Sequence, residues 1–130
     1  MIKALRVVLI VYGAIYLVMG LGGIIFTDQI TGLFGIEEVT ADIIYLAAII
    51  SIFSISAGLW LIIAGRDPLG NIYWVKFAIT KAVLSVVVEV YLIIQGYVDF
   101  NQVGIAIILD GVFAVLFLAL YPWRAARTGE

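Results

Sequence analysis

The sequence predicts an all-α protein in which four transmembrane helices pack as one bundle. Two stretches, Val7–Thr27 and Ile43–Gly65, contain no charged residue over 21 and 23 residues. As a helix, each spans the ~30 Å hydrocarbon layer at about 1.5 Å per residue. The chain of 130 residues is 65% hydrophobic with a mean hydropathy of +1.25. We therefore expect residues 1–130 to form a single integral membrane domain whose solvent is a lipid bilayer.

The two uncharged stretches place the first helix at residues 5–26 and the second at 43–64. The first apolar run is longer than the ~7–15 apolar residues of a signal peptide, so we expect it to be retained as a span. Thr40 is placed to cap the second helix. Residues 29–36, between the two helices, are either a short amphipathic piece on the membrane surface or a solvated connector.

The third and fourth helices are predicted at residues 72–97 and 103–121. The third contains Lys76, Lys81 and Glu89, and the fourth contains Asp110. These few polar positions do not form the wide hydrated face of a soluble amphipathic helix, so both segments are typical of membrane spans.

The basic residues near the ends of the predicted helices lie on one side of the bundle. They include Lys3, Arg6, Arg66, Arg124 and Arg127, whereas the charged residues in the connections on the other side are all acidic. Basic residues near span ends mark the cytoplasmic side. We therefore expect a multi-pass protein of the cell membrane with both termini in the cytoplasm.

Composition excludes several kinds of chemistry. The chain has no cysteine and no histidine, so disulfides, thiol or imidazole catalysis and Cys/His metal sites are excluded. The net charge of −2 and the scattered basic residues argue against a nucleic-acid partner. No nucleotide-binding loop or metal-ligand quartet is present, so no cofactor or metal is predicted.

Three of the predicted helices carry a narrow stripe of small residues. Helices in a bilayer associate by close packing at such residues, because lipid tails are as apolar as leucine. The stripes consist of Gly13, Gly20 and Gly23 on the first helix, Ala47, Ser51, Ser54 and Gly58 on the second, and Ala78 and Ala82 on the third. They serve either to close the bundle or to join copies in a homo-oligomer, and the sequence leaves both open.

Costly polar side chains inside the spans define a candidate intramembrane site. Glu89 and Asp110 lie about 10–12 Å below the same boundary of consecutive helices, so they are placed to face each other. Two carboxyls in a low dielectric share a proton, bind a cation or stay neutral. Lys81 is a counter-charge, although a direct bridge to Glu89 is strained by a rise of ~12 Å along the helix. The candidate site also includes Tyr12, Tyr16 and Ser85. Its role is either functional or structural, fixing the helix register.

Several short motifs carry a resemblance to a known family. They are Tyr12-Gly13-Ala-Ile-Tyr16-Leu-Val-Met-Gly20-Leu-Gly-Gly23, Leu33-Phe-Gly35 before Thr40-Ala-Asp42, and Ala57-Gly-Leu-Trp60. With the four-span layout, the chain resembles DoxX-like proteins and other small four-span prokaryotic membrane proteins. The resemblance implies an integral bundle that often acts with partner proteins, and it implies no catalytic residues.

These observations favour a small non-catalytic membrane protein, either an accessory subunit or a bundle that binds a lipid or small molecule. The alternative is a small oligomeric transporter or channel coupled to protons or cations through Glu89 and Asp110. A membrane enzyme ranks last, since without His or Cys it relies on carboxyls, Lys81 or tyrosines. The expected partners are the lipid bilayer and either another copy of the chain or a membrane protein.

Overall fold

Five α-helices make up the part of the chain that the computed structural model describes, residues 2–33 and 35–123. They are α1 (Ile2–Ile25), α2 (Thr27–Leu33), α3 (Ala41–Arg66), α4 (Ile72–Ile94) and α5 (Phe100–Leu120). All except α2 are long and apolar enough to cross a membrane. The predicted all-α class with four spans is confirmed, and the chain is a multi-pass membrane protein. Arg124 and Arg127, which contributed to the predicted orientation, lie outside the described residues.

The end of α4 differs from the prediction because of a glycine. Gly96 has a φ of 79°, a left-handed conformation that stops a helix. The backbone N–H groups of Gly96 and Tyr97 donate to the carbonyl oxygens of Ile93 and Leu92, which is the Schellman pattern of a helix C-terminus. The predicted end at residue 97 was therefore wrong by three residues, and α4 ends at Ile94.

Side-chain caps fix the starts of α3 and α5. The backbone N–H of Asp99 donates to Oε1 of Gln102 at 2.8 Å, one half of a capping box that starts α5 at Phe100. The predicted start at residue 103 was therefore three residues late. The predicted cap of α3 is confirmed, since the hydroxyl oxygen of Thr40 accepts from the backbone N–H of Ile43 at 3.3 Å.

The segment between the first two spans contains a helix. The sequence left residues 29–36 as either an amphipathic piece or a connector, and the structure has α2 at Thr27–Leu33. Thr31 on α2 is buried, and its hydroxyl donates to the carbonyl oxygen of Thr27 at 2.8 Å. Ile30 packs near Gly22 of α1. The Ile30 contact places α2 against α1 at one end of the bundle.

α1 and α3 form the most extensive helix pair, and they run antiparallel with their backbones in contact. A Cβ atom on Gly58 would lie 2.6 Å from the carbonyl oxygen of Gly13, and one on Gly20 would lie 2.9 Å from the carbonyl oxygen of Ser51. Only residues with minimal side chains permit this approach. The small-residue stripes of the first two spans therefore lie against each other over much of their length.

α4 packs mainly on α5, and the two helix pairs meet less extensively through α1 with α5 and α3 with α4. Trp60 of α3 and Trp74 of α4 stack with ring centroids 5.8 Å apart and planes inclined by 6°. This stack lies near the end of the bundle where α3 ends and α4 begins. The α3–α4 contact is thus anchored at that end.

The buried core occupies one half of the bundle. We call this the termini half, since it contains the start of α1 and the end of α5; the other is the α2 half. The core residues include Leu5, Leu9, Tyr12, Leu61, Val75, Ala78, Ala82, Phe113, Ala114, Phe117 and Tyr121. Every long helix contributes to this cluster. The predicted stripe residues Ala78 and Ala82 are fully buried within it.

Large apolar side chains cover the outside of the long helices. Ile105 is 84% exposed, Ile94 74% and Phe53 73%. A water-soluble monomer rarely exposes continuous apolar surface of this kind, whereas lipid tails solvate it without cost. The outer surface of the bundle therefore fits a bilayer.

Candidate functional site

A cavity of about 590 Å³ occupies the α2 half of the bundle. All five helices contribute to its lining. Its walls are mostly apolar and include Ile15, Met19, Ile30, Leu46, Ala106 and Leu109. Three side chains with an amine or carboxyl group, Lys81, Glu89 and Asp110, also line it. The cavity combines an apolar interior with a small number of strongly polar groups.

Asp110 lies at the boundary between the cavity and the packed core and is only 5% exposed. Its Oδ1 accepts hydrogen bonds from the hydroxyls of Tyr16 at 3.1 Å and Tyr12 at 3.3 Å. Tyr12 is fixed in turn by ring contacts with Phe113 and Phe117, at centroid distances of 4.6 and 5.2 Å. The carboxylate of Asp110 is therefore held by two tyrosines from α1.

Lys81 belongs to the same hydrogen-bonded group. Its Nζ donates to the hydroxyl of Tyr16 and lies 3.8 Å from the centroid of the Tyr16 ring. The Tyr16 hydroxyl accepts from Lys81 and donates to Asp110, so it bridges a cation and an anion. A buried charge is tolerated in a membrane when it is paired and hydrogen-bonded in this way. The three side chains form a relay that is electrically neutral as a unit.

Glu89 is in a different situation from Asp110. It lines the same cavity, and its Oε2 is buried without a hydrogen-bond partner among the residues that the structure describes. A buried acceptor without a donor costs about 1–3 kcal/mol, and an unpaired charge costs more. Glu89 is therefore the carboxyl in this cavity that is available to a proton or a ligand.

The structure brings the six predicted polar residues into one region. Five of them line the cavity, including Ser85 one helical turn before Glu89, and Tyr12 lies behind Asp110. Within the described residues, Glu89 and Asp110 do not hydrogen-bond to each other, although the sequence placed them face to face. Lys81 contacts Tyr16, in keeping with the strain expected for a direct bridge to Glu89.

The predicted helix-packing residues of the first two spans have two kinds of environment. Gly13, Gly20, Gly23, Ser51 and Gly58 are buried between α1 and α3. The hydroxyl of Ser54 donates to the carbonyl oxygen of Tyr16 at 2.9 Å, which ties these helices together. Ala47, by contrast, is half-buried and lines the cavity.

A second cleft of about 380 Å³ lies between α3 and α4 and was not predicted. Phe53, Trp74 and Phe77 contribute to its lining, and Lys81 and Tyr16 line both this cleft and the cavity. The cavity therefore reaches the side of the bundle where α3 and α4 diverge. The sequence signal was the spacing of Phe77 and Lys81, which places both side chains on one face of a helix.

Residues from α2 also line the cavity, and the sequence did not assign them a role. Ile30 and Thr31 contribute to the lining from the end of the bundle. Their hydrophobic and small polar character fits a short helix that covers an apolar space. The position of such a helix depends on tertiary contacts, so sequence periodicity alone did not reveal it.

Comparison with known proteins adds no relative from which a function is inherited. The chain matches no protein-family model, no curated protein and no solved structure. The resemblance to DoxX-like proteins stays a prediction. The function is therefore inferred from the cavity and the side chains that line it.

Proposed function

We propose that this protein is a membrane-embedded binding protein that holds a lipid-like small molecule in its cavity. The observation that carries the proposal is the cavity itself, whose volume of about 590 Å³ falls within the ~300–1,000 Å³ of small-molecule sites. Its apolar walls suit a hydrocarbon body. Its few polar groups suit one head group, which they orient.

The cleft between α3 and α4 supports entry from the lipid phase. It shares Tyr16, Ile50, Ser54 and Lys81 with the cavity, and Phe53 at its edge is 73% exposed. A lipophilic molecule concentrates in the bilayer, so a lateral route requires no passage through water. The Trp60–Trp74 stack joins α3 and α4 at the border of this cleft.

The expected result of filling the cavity is loss of binding. Ala106 on α5 lines the cavity, whereas Ala119 on the same helix is exposed. In phosphatidylcholine nanodiscs, a photo-reactive long-chain alcohol should crosslink saturably to cavity residues such as Met19. Ala106→Phe should reduce this labelling about tenfold or more, because the added ring occupies the ligand's volume.

The matched variant Ala119→Phe adds the same ring on the lipid side and should label like the unmodified protein. Unsaturable labelling confined to outward-facing side chains such as Phe53 would show partition into lipid and contradict the proposal. Equal labelling of Ala106→Phe and Ala119→Phe would contradict it as well.

We also propose that the termini face the cytoplasm and that the protein resides in the cell membrane. Lys3, Arg6 and Arg66 lie at the termini end of the bundle, and basic residues favour the cytoplasmic side. The charged residues at the other end are all acidic, namely Asp28, Glu37, Glu38, Asp42 and Asp99. In this orientation the cavity lies in the outer half of the membrane.

The orientation is testable with single cysteines, because the chain has none of its own. A membrane-impermeant maleimide applied to intact cells should label Glu38→Cys and should label Lys3→Cys only after lysis. Both positions are exposed, so access to the reagent depends on the side of the membrane. The reverse pattern would overturn the orientation.

The unpaired Oε2 of Glu89 favours a second function, proton- or cation-coupled transport by the chain or by an oligomer of it. Transport and binding differ in stoichiometry. A transporter in liposomes accumulates more than one equivalent of substrate per protein under a pH gradient, whereas a binding protein does not. The accessory-subunit function predicted from sequence would instead appear as a membrane partner that co-purifies.

A further inference from the structure

We infer that the cavity selects a lipophilic molecule with one ammonium group and binds that group at Glu89 in exchange for one proton. The inference rests on the proposed function, because it requires that the cavity hold a small molecule. It adds the chemical class of the ligand and the residue that recognises it.

Lys81 and Asp110, two of the three amine or carboxyl side chains in the cavity, already balance each other's charge through Tyr16. Lys81 and Asp110 both hydrogen-bond to the Tyr16 hydroxyl, and Asp110 also accepts from Tyr12. Lys81 has further N–H donors, but its positive charge is already balanced by the carboxylate of Asp110 through Tyr16, so an anionic head group would add an uncompensated negative charge. The ammonium of Lys81 is therefore not the free charge that recruits a ligand.

Glu89, by contrast, has no positively charged partner of its own in the cavity lining. The ionisable groups that line the cavity with it are Lys81 from α4, Asp110 from α5 and Tyr16 from α1. Within the described lining, α2 and α3 supply no ionisable side chain. Lys81 begins eight residues earlier, about 12 Å along α4, and its ammonium is bound to Tyr16. One carboxyl thus remains without a counter-charge.

Binding of the ligand exchanges the proton on Glu89 for the ammonium group. In the empty cavity a proton keeps the Glu89 carboxyl neutral, because an isolated carboxylate in apolar surroundings is costly. An entering ammonium supplies both a positive charge and an N–H donor for Oε2. The carboxyl O–H bond breaks, the proton leaves to water, and a charge-assisted N–H···O hydrogen bond forms. One positive charge enters the cavity and one leaves it.

The Lys81–Tyr16–Asp110 relay sets the position of the ligand. The relay lies at the floor of the cavity against the packed core, and Glu89 lies nearer the α2 end along α4. A head group at Glu89 therefore binds about two turns of α4 away from the backbone of Lys81. The hydrocarbon body then extends along the apolar walls, which include Met19, Leu46 and Ala106.

The test uses three photo-reactive probes that share one alkyl chain and end in a primary amine, an alcohol or a carboxylic acid. Binding to the full chain is measured by saturable crosslinking in phosphatidylcholine nanodiscs, with empty nanodiscs as the partition baseline. At neutral pH the amine should bind about tenfold or more tighter than the alcohol, and the acid weakest. Protons compete for Glu89, so amine affinity should fall towards acidic pH by up to about tenfold per pH unit.

Glu89→Gln keeps the shape of the side chain and removes the exchangeable proton. It should abolish the preference for the amine, its pH dependence and the release of one proton per amine bound in weakly buffered solution. Binding of the alcohol should persist in this variant. Glu38→Gln removes an exposed carboxylate outside the cavity and should behave like the unmodified chain.

Each outcome separates the inference from the function on which it rests. Saturable binding of the alcohol without preference for the amine would overturn the ammonium inference and leave the binding function in place. Equal amine affinity in the unmodified protein and Glu89→Gln would do the same. Absence of saturable binding by all three probes would overturn both.

Discussion

Gly58→Ala is expected to separate α1 from α3 and to destabilise the bundle by about 3 kcal/mol. The added Cβ would lie 2.6 Å from the carbonyl oxygen of Gly13 and 2.7 Å from the backbone nitrogen of Leu17. Both neighbours are main-chain atoms, which cannot move by rotating a side chain. The two helices must shift apart, and the packing of Gly20 and Ser54 along the same seam is then lost. The measurement is the thermal unfolding midpoint in detergent, followed by tryptophan fluorescence.

Gly111→Ala is the matched control for this substitution. Gly111 is also within a long helix, but a Cβ there meets no atom within 4 Å among the described residues. Alanine has a higher helix propensity than glycine by up to about 1 kcal/mol, so the midpoint should be unchanged or slightly raised. Equal midpoints for Gly58→Ala and Gly111→Ala would show that the backbone contact of α1 and α3 does not stabilise the fold.

Asp110→Asn and Lys81→Met are each expected to cost about 3 kcal/mol, because each leaves a buried charge without its partner. The double variant should cost less than the sum by about 1 kcal/mol or more, since it removes both charges together. The same fluorescence midpoint completes the double-mutant cycle. Tyr16 couples the two side chains through its hydroxyl, and additive effects would contradict this coupling.

Two control variants test for general effects of removing a carboxyl group. Asp42→Asn removes an exposed carboxylate in the first turn of α3. It should change the free energy of unfolding by about 0.3–1 kcal/mol at most. Glu89→Gln should leave the midpoint unchanged, because it replaces a neutral carboxyl, whose Oε2 is unpaired, with a neutral amide of the same shape. Two carboxyls in one cavity would then have separate roles, Asp110 in stability and Glu89 in binding.

The spans were predictable from the sequence because membrane thickness and helix rise fix the length of an apolar run. The helix ends were less predictable, since they depend on local caps. Gln102 returns to the backbone of Asp99 and starts α5 early, while the left-handed Gly96 ends α4 early. Both signals were present in the sequence as an Asp-x-x-Gln spacing and a glycine before a turn.

The residues of the candidate site were predictable from the sequence, but the hydrogen bonds among them were not. The cost of burying polar groups in lipid singles out Lys81, Glu89 and Asp110 without any structural information. Which of them pair depends on how each helix is rotated. The glycine seam between α1 and α3 fixes the rotation of α1, whose Tyr12 and Tyr16 bind Asp110, while Glu89 on α4 is unpaired. The cavity arises from the packing of several helices, so the residue pattern of any single helix could not predict it.

The packed core of the termini half affects the passage of ions through the bundle. In the described bundle, Tyr12, Phe113 and Phe117 fill the path between the cavity and the opposite surface with tightly packed rings. A hydrated ion crossing this layer would have to shed its water in a region of low permittivity. In this conformation the packed rings are a dielectric barrier to hydrated ions across roughly half the thickness of the membrane.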